Sequence, residues 1–172
     1  STLGGKYVWS DIYLLAGWRI QRNFLTGHFR LLDDSDKRRS WGTYNHCLEK
    51  LKNFKQELGL EFPNPHIFLL LHGLGRHKNT MAKTARFLNK HGYSAYCLNY
   101  PSTLQPLTSH GDELEHLLEH LDGVTSVSFI GHSLGGLVAR ELLSRNTCWR
   151  KKIKAHEPIM LGTPNNRARI AT

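Results

Sequence analysis

The spacing of apolar positions divides the chain into two halves of different rhythm. Residues 6–32 are rich in Tyr, Trp, Ile and Phe and are interrupted at Ala16-Gly17 and Thr26-Gly27. Apolar runs punctuated by glycine-bearing turns predict two or three antiparallel strands. Tyr44, Cys47, Leu48, Leu51, Phe54 and Leu58 then recur at helical spacing, predicting an amphipathic helix from about Ser40 to Leu58. Pro63-Asn64-Pro65 closes this half.

From His66 the rhythm becomes a strict alternation. Ile67-Phe68-Leu69-Leu70-Leu71 is a short continuous apolar run, the mark of a strand buried on both faces. A helix is expected from about Thr80 to Lys90, stopped by Gly92, and a strand over Ala95 to Tyr100. Leu114, Leu117, Leu118 and Leu121 build a further helix, with Ser109 and Asp112 spaced as a capping pair at its start. A strand at Ser126–Ile130, a helix from Leu134 to Ser144 and a strand through Ile159-Met160-Leu161 complete the series. Strands separated by helices of ten or so residues need crossover connections, hence a mainly parallel sheet covered on both sides.

Composition narrows the class. With 172 residues, 40% hydrophobic and 22% charged, the chain fits one globular domain rather than a disordered tail, a collagen-like repeat or a coiled coil. We read residues 1–172 as that single domain, with 1–62 forming the meander and its helix and 63–172 the parallel α/β core. The run Ile67–Leu71 falls far short of the roughly 20 apolar residues that span a bilayer, so no transmembrane segment is expected. Ser1 to Lys6 shows no basic stretch leading into an apolar core, so no secretory signal is read there. The chain opens without Met, and removal of something upstream is the expectation. Cys47, Cys97 and Cys148 are odd in number and lack C-x-x-C spacing, which disfavours a disulfide framework and favours a reducing, cytoplasmic compartment.

A net charge of +9 raises the question of an anionic partner. The charge is scattered, however, and only Arg150-Lys151-Lys152-Ile153-Lys154 is concentrated. A solvated face is the simpler reading, and nucleic acid is not expected as a partner.

The sharpest chemical signal is Gly131-His132-Ser133-Leu134-Gly135, which fits G-x-S-x-G. It falls where the strand ending at Ile130 gives way to the helix starting at Leu134, the sharp turn that lifts a serine hydroxyl above a sheet. Side chains at positions 131 and 135 would collide with neighbouring backbone at so tight a bend. A nucleophilic serine also needs donors for the developing oxyanion. Two are foreseen: the Leu134 N–H at the start of the helix, where the helix dipole adds to it, and the Leu74 N–H in His72-Gly73-Leu74-Gly75, directly after the Ile67–Leu71 strand.

Leu71-His72-Gly73-Leu74-Gly75, Gly131-His132-Ser133-Leu134-Gly135-Gly136 and Leu161-Gly162-Thr163-Pro164-Asn165 together resemble bacterial lipases and esterases of the α/β-hydrolase superfamily. The resemblance covers about Pro65 to Asn166. It implies a three-layer α/β sandwich with a mostly parallel sheet, antiparallel N-terminal strands, and the last two strands of the family fold lacking. By the same resemblance Ser133 is the nucleophile, Leu74 and Leu134 supply the oxyanion hole, and Leu161–Asn165 end strand six. Substrates would be small-molecule or lipid carboxylic esters, with no cofactor and no metal.

In that family the acid and histidine of the triad follow the serine. Here the residues after Ser133 include no Asp, one histidine (His156) and two glutamates (Glu141 and Glu157). Glu141 lies about 12 Å along the helix at about 1.5 Å per residue, too far to take part. His156 and Glu157 are adjacent near a strand start, at the wrong end of the sheet. Three explanations stand. The triad Asp and His lie beyond Thr172; or His110 and Asp112 substitute, on the loop after the Ala95–Tyr100 strand; or the fold persists without catalysis, as a module that binds an anionic partner through Arg150–Lys154. The first is the reading adopted, with little turnover expected of the 172 residues alone. For His110 and Asp112 a helix cap with an exposed histidine is the simpler reading. A sheet lacking its last strands would leave the Ile159–Leu161 strand open to pairing with a second copy.

Other signals are weaker. His116-Leu117-Leu118-Glu119-His120 fits H-x-x-E-H, but its polar residues lie opposite Leu114, Leu117, Leu118 and Leu121, on the solvent side of an amphipathic helix. His72 and His132 flank the proposed site and are read as neutral histidines bonded to nearby backbone. Trp9, Trp18 and Trp41 are read as packing rather than as an acyl pocket.

Overall fold

A computed structural model of the chain describes residues 8–73, 77–101 and 106–161. The chain opens with four strands, β1 (Trp9–Leu15), β2 (Trp18–Asn23), β3 (Phe29–Leu32) and β4 (Arg38–Gly42), in one antiparallel sheet in chain order. The β1–β2 turn places Ala16 and Gly17 at φ 48° and 89°, as a two-residue hairpin of this hand requires. Two or three strands were expected. The fourth occupies Arg38–Gly42, so Ser40 lies in a strand and not at a helix start.

Helix α1 begins at Tyr44, where the Thr43 hydroxyl accepts the His46 N–H at 3.1 Å, and runs to Leu58. Gly59 ends it at φ 66°, its N–H donating to the Lys55 carbonyl.

The second half alternates as anticipated: β5 (His66–Leu71), α2 (His77–Lys90), β6 (Ala95–Leu98), α3 (Leu107–Glu119), β7 (Ser126–His132), α4 (Leu134–Leu143), a 3₁₀ turn at Cys148–Lys151, β8 (Lys154–Ala155) and β9 (Ile159–Leu161). Helix α3 starts two residues before the expected Ser109–Asp112 box. Pro106 stands at its N-cap, since a missing N–H costs nothing there. Strand β5 is central, parallel to β6 on one side and β7 on the other. β8 and β9 both pair with β7, at Ser126–Val127 and at Ile130–His132. They are two pieces of one strand position, interrupted around Pro158, which has no N–H to give to a ladder.

Alternation along β5 sends Ile67, Leu69 and Leu71 into the main core with Phe129, Leu114, Leu117, Leu118, Val138 and Leu142 of the neighbouring elements. Leu70 points the other way, to a smaller cluster with Ile130 and with Met81 and Ala85 of α2. Helices therefore cover both faces of the parallel sheet. Arg145, 17% exposed, ties α3 to α4 through Asp112 (2.5 Å), Glu115 (3.1 Å), Glu141 (3.1 Å) and the Thr108 carbonyl (3.0 Å).

The two sheets meet at a buried carboxylate. Asp11 of β1 accepts from Arg19 (2.6 Å), Gln21 (2.8 Å) and the Asn99 N–H (2.8 Å), and its own N–H donates to the Asn99 carbonyl at 2.8 Å. Arg19 also donates to the Cys97 carbonyl at 2.9 Å. The Asp11 side chain is fully buried and that of Arg19 10% exposed. A buried charge is tolerable only when paired and saturated with donors. Asp11→Ala leaves Arg19 buried without its counter-ion and should destabilise the fold by about 3–5 kcal/mol. Urea denaturation followed by fluorescence would measure it.

Candidate active site

The strand-to-helix bend has the geometry that G-x-S-x-G implies. Ser133 sits between β7 and α4 at φ 53°, ψ −116°, a conformation that L-residues rarely adopt. Its neighbours explain how so strained a residue is held. A Cβ on Gly131 would lie 2.6 Å from the Gly136 nitrogen, and one on Gly135 would lie 1.9 Å from the Leu71 carbonyl oxygen. The first turn of α4 is thus pressed against both the end of its own strand and the end of β5. Only hydrogen fits at either position.

Ser133 is half-buried, and its hydroxyl makes no capping hydrogen bond to the helix that follows. The first turn of α4 holds no acidic residue, so the partial positive charge of the helix terminus is not neutralised by its own sequence. A reachable hydroxyl and an unopposed helix terminus suit attack on a carbonyl whose oxygen acquires charge. Leu134 is the first residue of α4. Leu74 lies outside the described residues, as do Gly162–Asn165 of the third motif.

The loop that leads to Leu74 is clamped from below. The His72 imidazole is buried, with Nδ1 2.7 Å from the Gly73 carbonyl, which places the proton on that nitrogen. Its ring stacks on Tyr100 at 4.4 Å, and the Tyr100 hydroxyl donates to the His72 carbonyl. Burial pushes the Tyr100 pKa well above its ordinary range, so the donor stays protonated. The sequence marks Tyr100 only as the end of the Ala95–Tyr100 strand. Its position two residues beyond β6, level with the carboxyl end of β5, is set by the sheet.

The substitute pair is not formed. Asp112 faces solvent and is engaged by Arg145, whereas His110 is 2% exposed, packed against Tyr100 at 5.0 Å. The expected exposed histidine is buried because α3 starts at Leu107 and turns position 110 inward, toward β6. His156 stands with His66 (ring centroids 5.4 Å apart) at the amino end of β5. That is about 20 Å from the Ser133 end of β7 at about 3.3 Å per residue.

The H-x-x-E-H stretch divides. His120 is exposed and its Nδ1 bonds the His116 carbonyl at 2.7 Å. His116 is half-buried against Tyr44 at 5.7 Å, and burial, then His120, lowers its pKa. Among the described residues no cluster of three or more potential ligands for a metal occurs. Nor, among them, is any helix long and apolar enough to cross a membrane. Trp18 is buried against Phe54 at 4.9 Å, while Trp9 and the exposed Trp41 lie beneath Arg30 and Arg38. In the basic cluster, Arg150 donates to the Arg145 and Leu143 carbonyls and Lys152 to the Leu121 carbonyl. Two of its four cations thus bond carbonyls at the C-terminal ends of α4 and α3.

A family model for the alpha/beta hydrolase family matches residues 68–169, spanning β5 to the segment after β9. With that match over more than half its length, and with this sheet order and serine turn, the chain belongs to the alpha/beta hydrolase family. Comparison with curated proteins and with solved structures returns no match.

Two substitutions separate the constraints at the bend. Gly135→Ala forces α4 away from the Leu71 carbonyl and should cost about 3 kcal/mol, the upper end for overpacking. Ser133→Gly relieves the positive φ and should be about 1 kcal/mol more stable than Ser133→Ala. Thermal denaturation of the three variants reads both differences.

Proposed function

We propose that this chain carries the nucleophile of a serine hydrolase acting on carboxylic esters of small molecules or lipids. The observation that carries the reading is Ser133 at φ 53° on a strand-to-helix turn, its hydroxyl unused by the helix it precedes. Holding a side chain in a sparsely populated conformation costs on the order of 1–3 kcal/mol, and such strain clusters at reacting groups.

In this reading the Ser133 Oγ attacks the acyl carbon and forms an acyl-enzyme as the alcohol departs. The Leu134 amide and the Leu74 amide hold the oxygen of the tetrahedral intermediate, each supplying roughly 3–4 kcal/mol of barrier lowering. The histidine that takes the serine proton, and the acid that orients it, are expected beyond Thr172, in the order the family has them. Residues 63–172 carry the chemistry, and residues 1–62 brace it.

A fluorophosphonate probe should label Ser133, and Ser133→Ala should abolish labelling while leaving the circular dichroism spectrum unchanged. Hydrolysis of p-nitrophenyl esters should be weak for residues 1–172 and strong for a longer product of the same reading frame. Labelling at another serine, or none in any form, would overturn the proposal; strong Ser133-dependent turnover by the short form would instead refute the placement of the base.

A further inference from the structure

Beside the candidate site, the ends of β1, β5 and β6 with α3 and α4 line a narrow cavity of about 20 Å³ whose lining includes Ser10, Leu71, Tyr100, His110, Glu113 and Val138. The Ser10 Oγ, both ring nitrogens of His110 and both carboxyl oxygens of Glu113 are fully buried. Among the described residues, no hydrogen bond of ordinary length and angle reaches any of these five atoms. Ser10 and His110 are each only 2% exposed.

Buried polar atoms without partners cost about 1–3 kcal/mol each, and even with Ser10 turned toward Glu113, the two His110 nitrogens and the other Glu113 oxygen would be a heavy load for a small domain. A void needs about 10–15 Å³ to admit a water molecule, and that water needs two to four polar partners. This void meets both conditions. We propose that Ser10, His110 and Glu113 form a buried binding site for one water molecule, which ties β1 of the antiparallel sheet to α3 of the parallel core.

Water fits these groups because it both donates and accepts. Burial pushes the Glu113 carboxyl up and holds the His110 imidazole down, so both tend toward neutral forms. Ser10 lies close enough to Glu113 to offset part of that rise. A water molecule can donate to a carboxyl oxygen and either donate to or accept from a ring nitrogen, so one bridging molecule joins the two groups. His110 and Glu113 are three residues apart on α3 and share a face. The site adjoins the loop after β5 through the Tyr100 ring, which contacts His110 at 5.0 Å and His72 at 4.4 Å.

The inference does not rest on acyl transfer. A crystal structure of the chain at a resolution that shows ordered solvent should reveal one peak within hydrogen-bond reach of at least two of Ser10, His110 and Glu113. Oxygen-17 relaxation dispersion in solution should count one fewer long-lived water in Glu113→Leu, which fills the void, than in the wild type or in Ser133→Ala. A dry void, or a direct Glu113–His110 hydrogen bond with no peak between them, would overturn the proposal. The crystal measurement on the unmodified chain decides even where Glu113→Leu fails to fold.

Discussion

The arrangement turns on one close approach: the backbone of α4 at Gly135 lies so near the Leu71 carbonyl that a methyl group would meet the oxygen at 1.9 Å. Because packed backbone does not give way by fractions of an ångström, this contact fixes where α4 begins relative to the end of β5. Ser133 then passes from strand to helix through positive φ, and its side chain makes no cap to the helix it precedes. The strain at Ser133 and the two glycines flanking it are therefore a single constraint viewed from two sides. It also holds the ends of β5 and β7 side by side, with the serine turn at the carboxyl edge of the sheet.

The antiparallel sheet braces this frame. Asp11 would be an unlikely residue for a strand buried on nearly every position, were it not surrounded by donors from β2 and from the end of β6. The cost of dehydrating the carboxylate is offset by Arg19 and by neutral hydrogen bonds from Gln21, the Asn99 N–H and the Asn99 side-chain amide, and the arrangement closes only when the two sheets dock in one register. Through Asn99 that register passes to Tyr100, and through Tyr100 to the carbonyl of His72. Polar groups thus join the apolar core in connecting the N-terminal strands to the loop after β5.

Local signals read well wherever a short stretch of chain was sufficient to decide the outcome. The alternation from His66 onward, the Ala16-Gly17 turn and the G-x-S-x-G bend all depend on neighbours within a few residues. Errors arose where distant partners decided. Arg38–Gly42 is polar enough to pass for a helix start, but β3 supplies a ladder that makes it a strand. His110 looked like an exposed residue beside a cap until Pro106 set the start of α3 and turned the ring against Tyr100.

Residue order alone determined the rhythm of the elements, the fold class and the serine that the bend presents, because periodicity and glycine placement are properties of contiguous chain. Tertiary structure alone decided the partners of Asp11, the clamp of Tyr100 on His72, the hub at Arg145 and the meeting of Ser10, His110 and Glu113. Each of these arrangements joins residues separated by tens of positions, such as Asp11 to Asn99, Tyr100 to His72 and Arg145 to Asp112, and nothing in an unfolded chain brings them within hydrogen-bonding distance. Only the docking of two sheets and their helices excludes water from them, and with water gone each polar group must find its partner inside the protein.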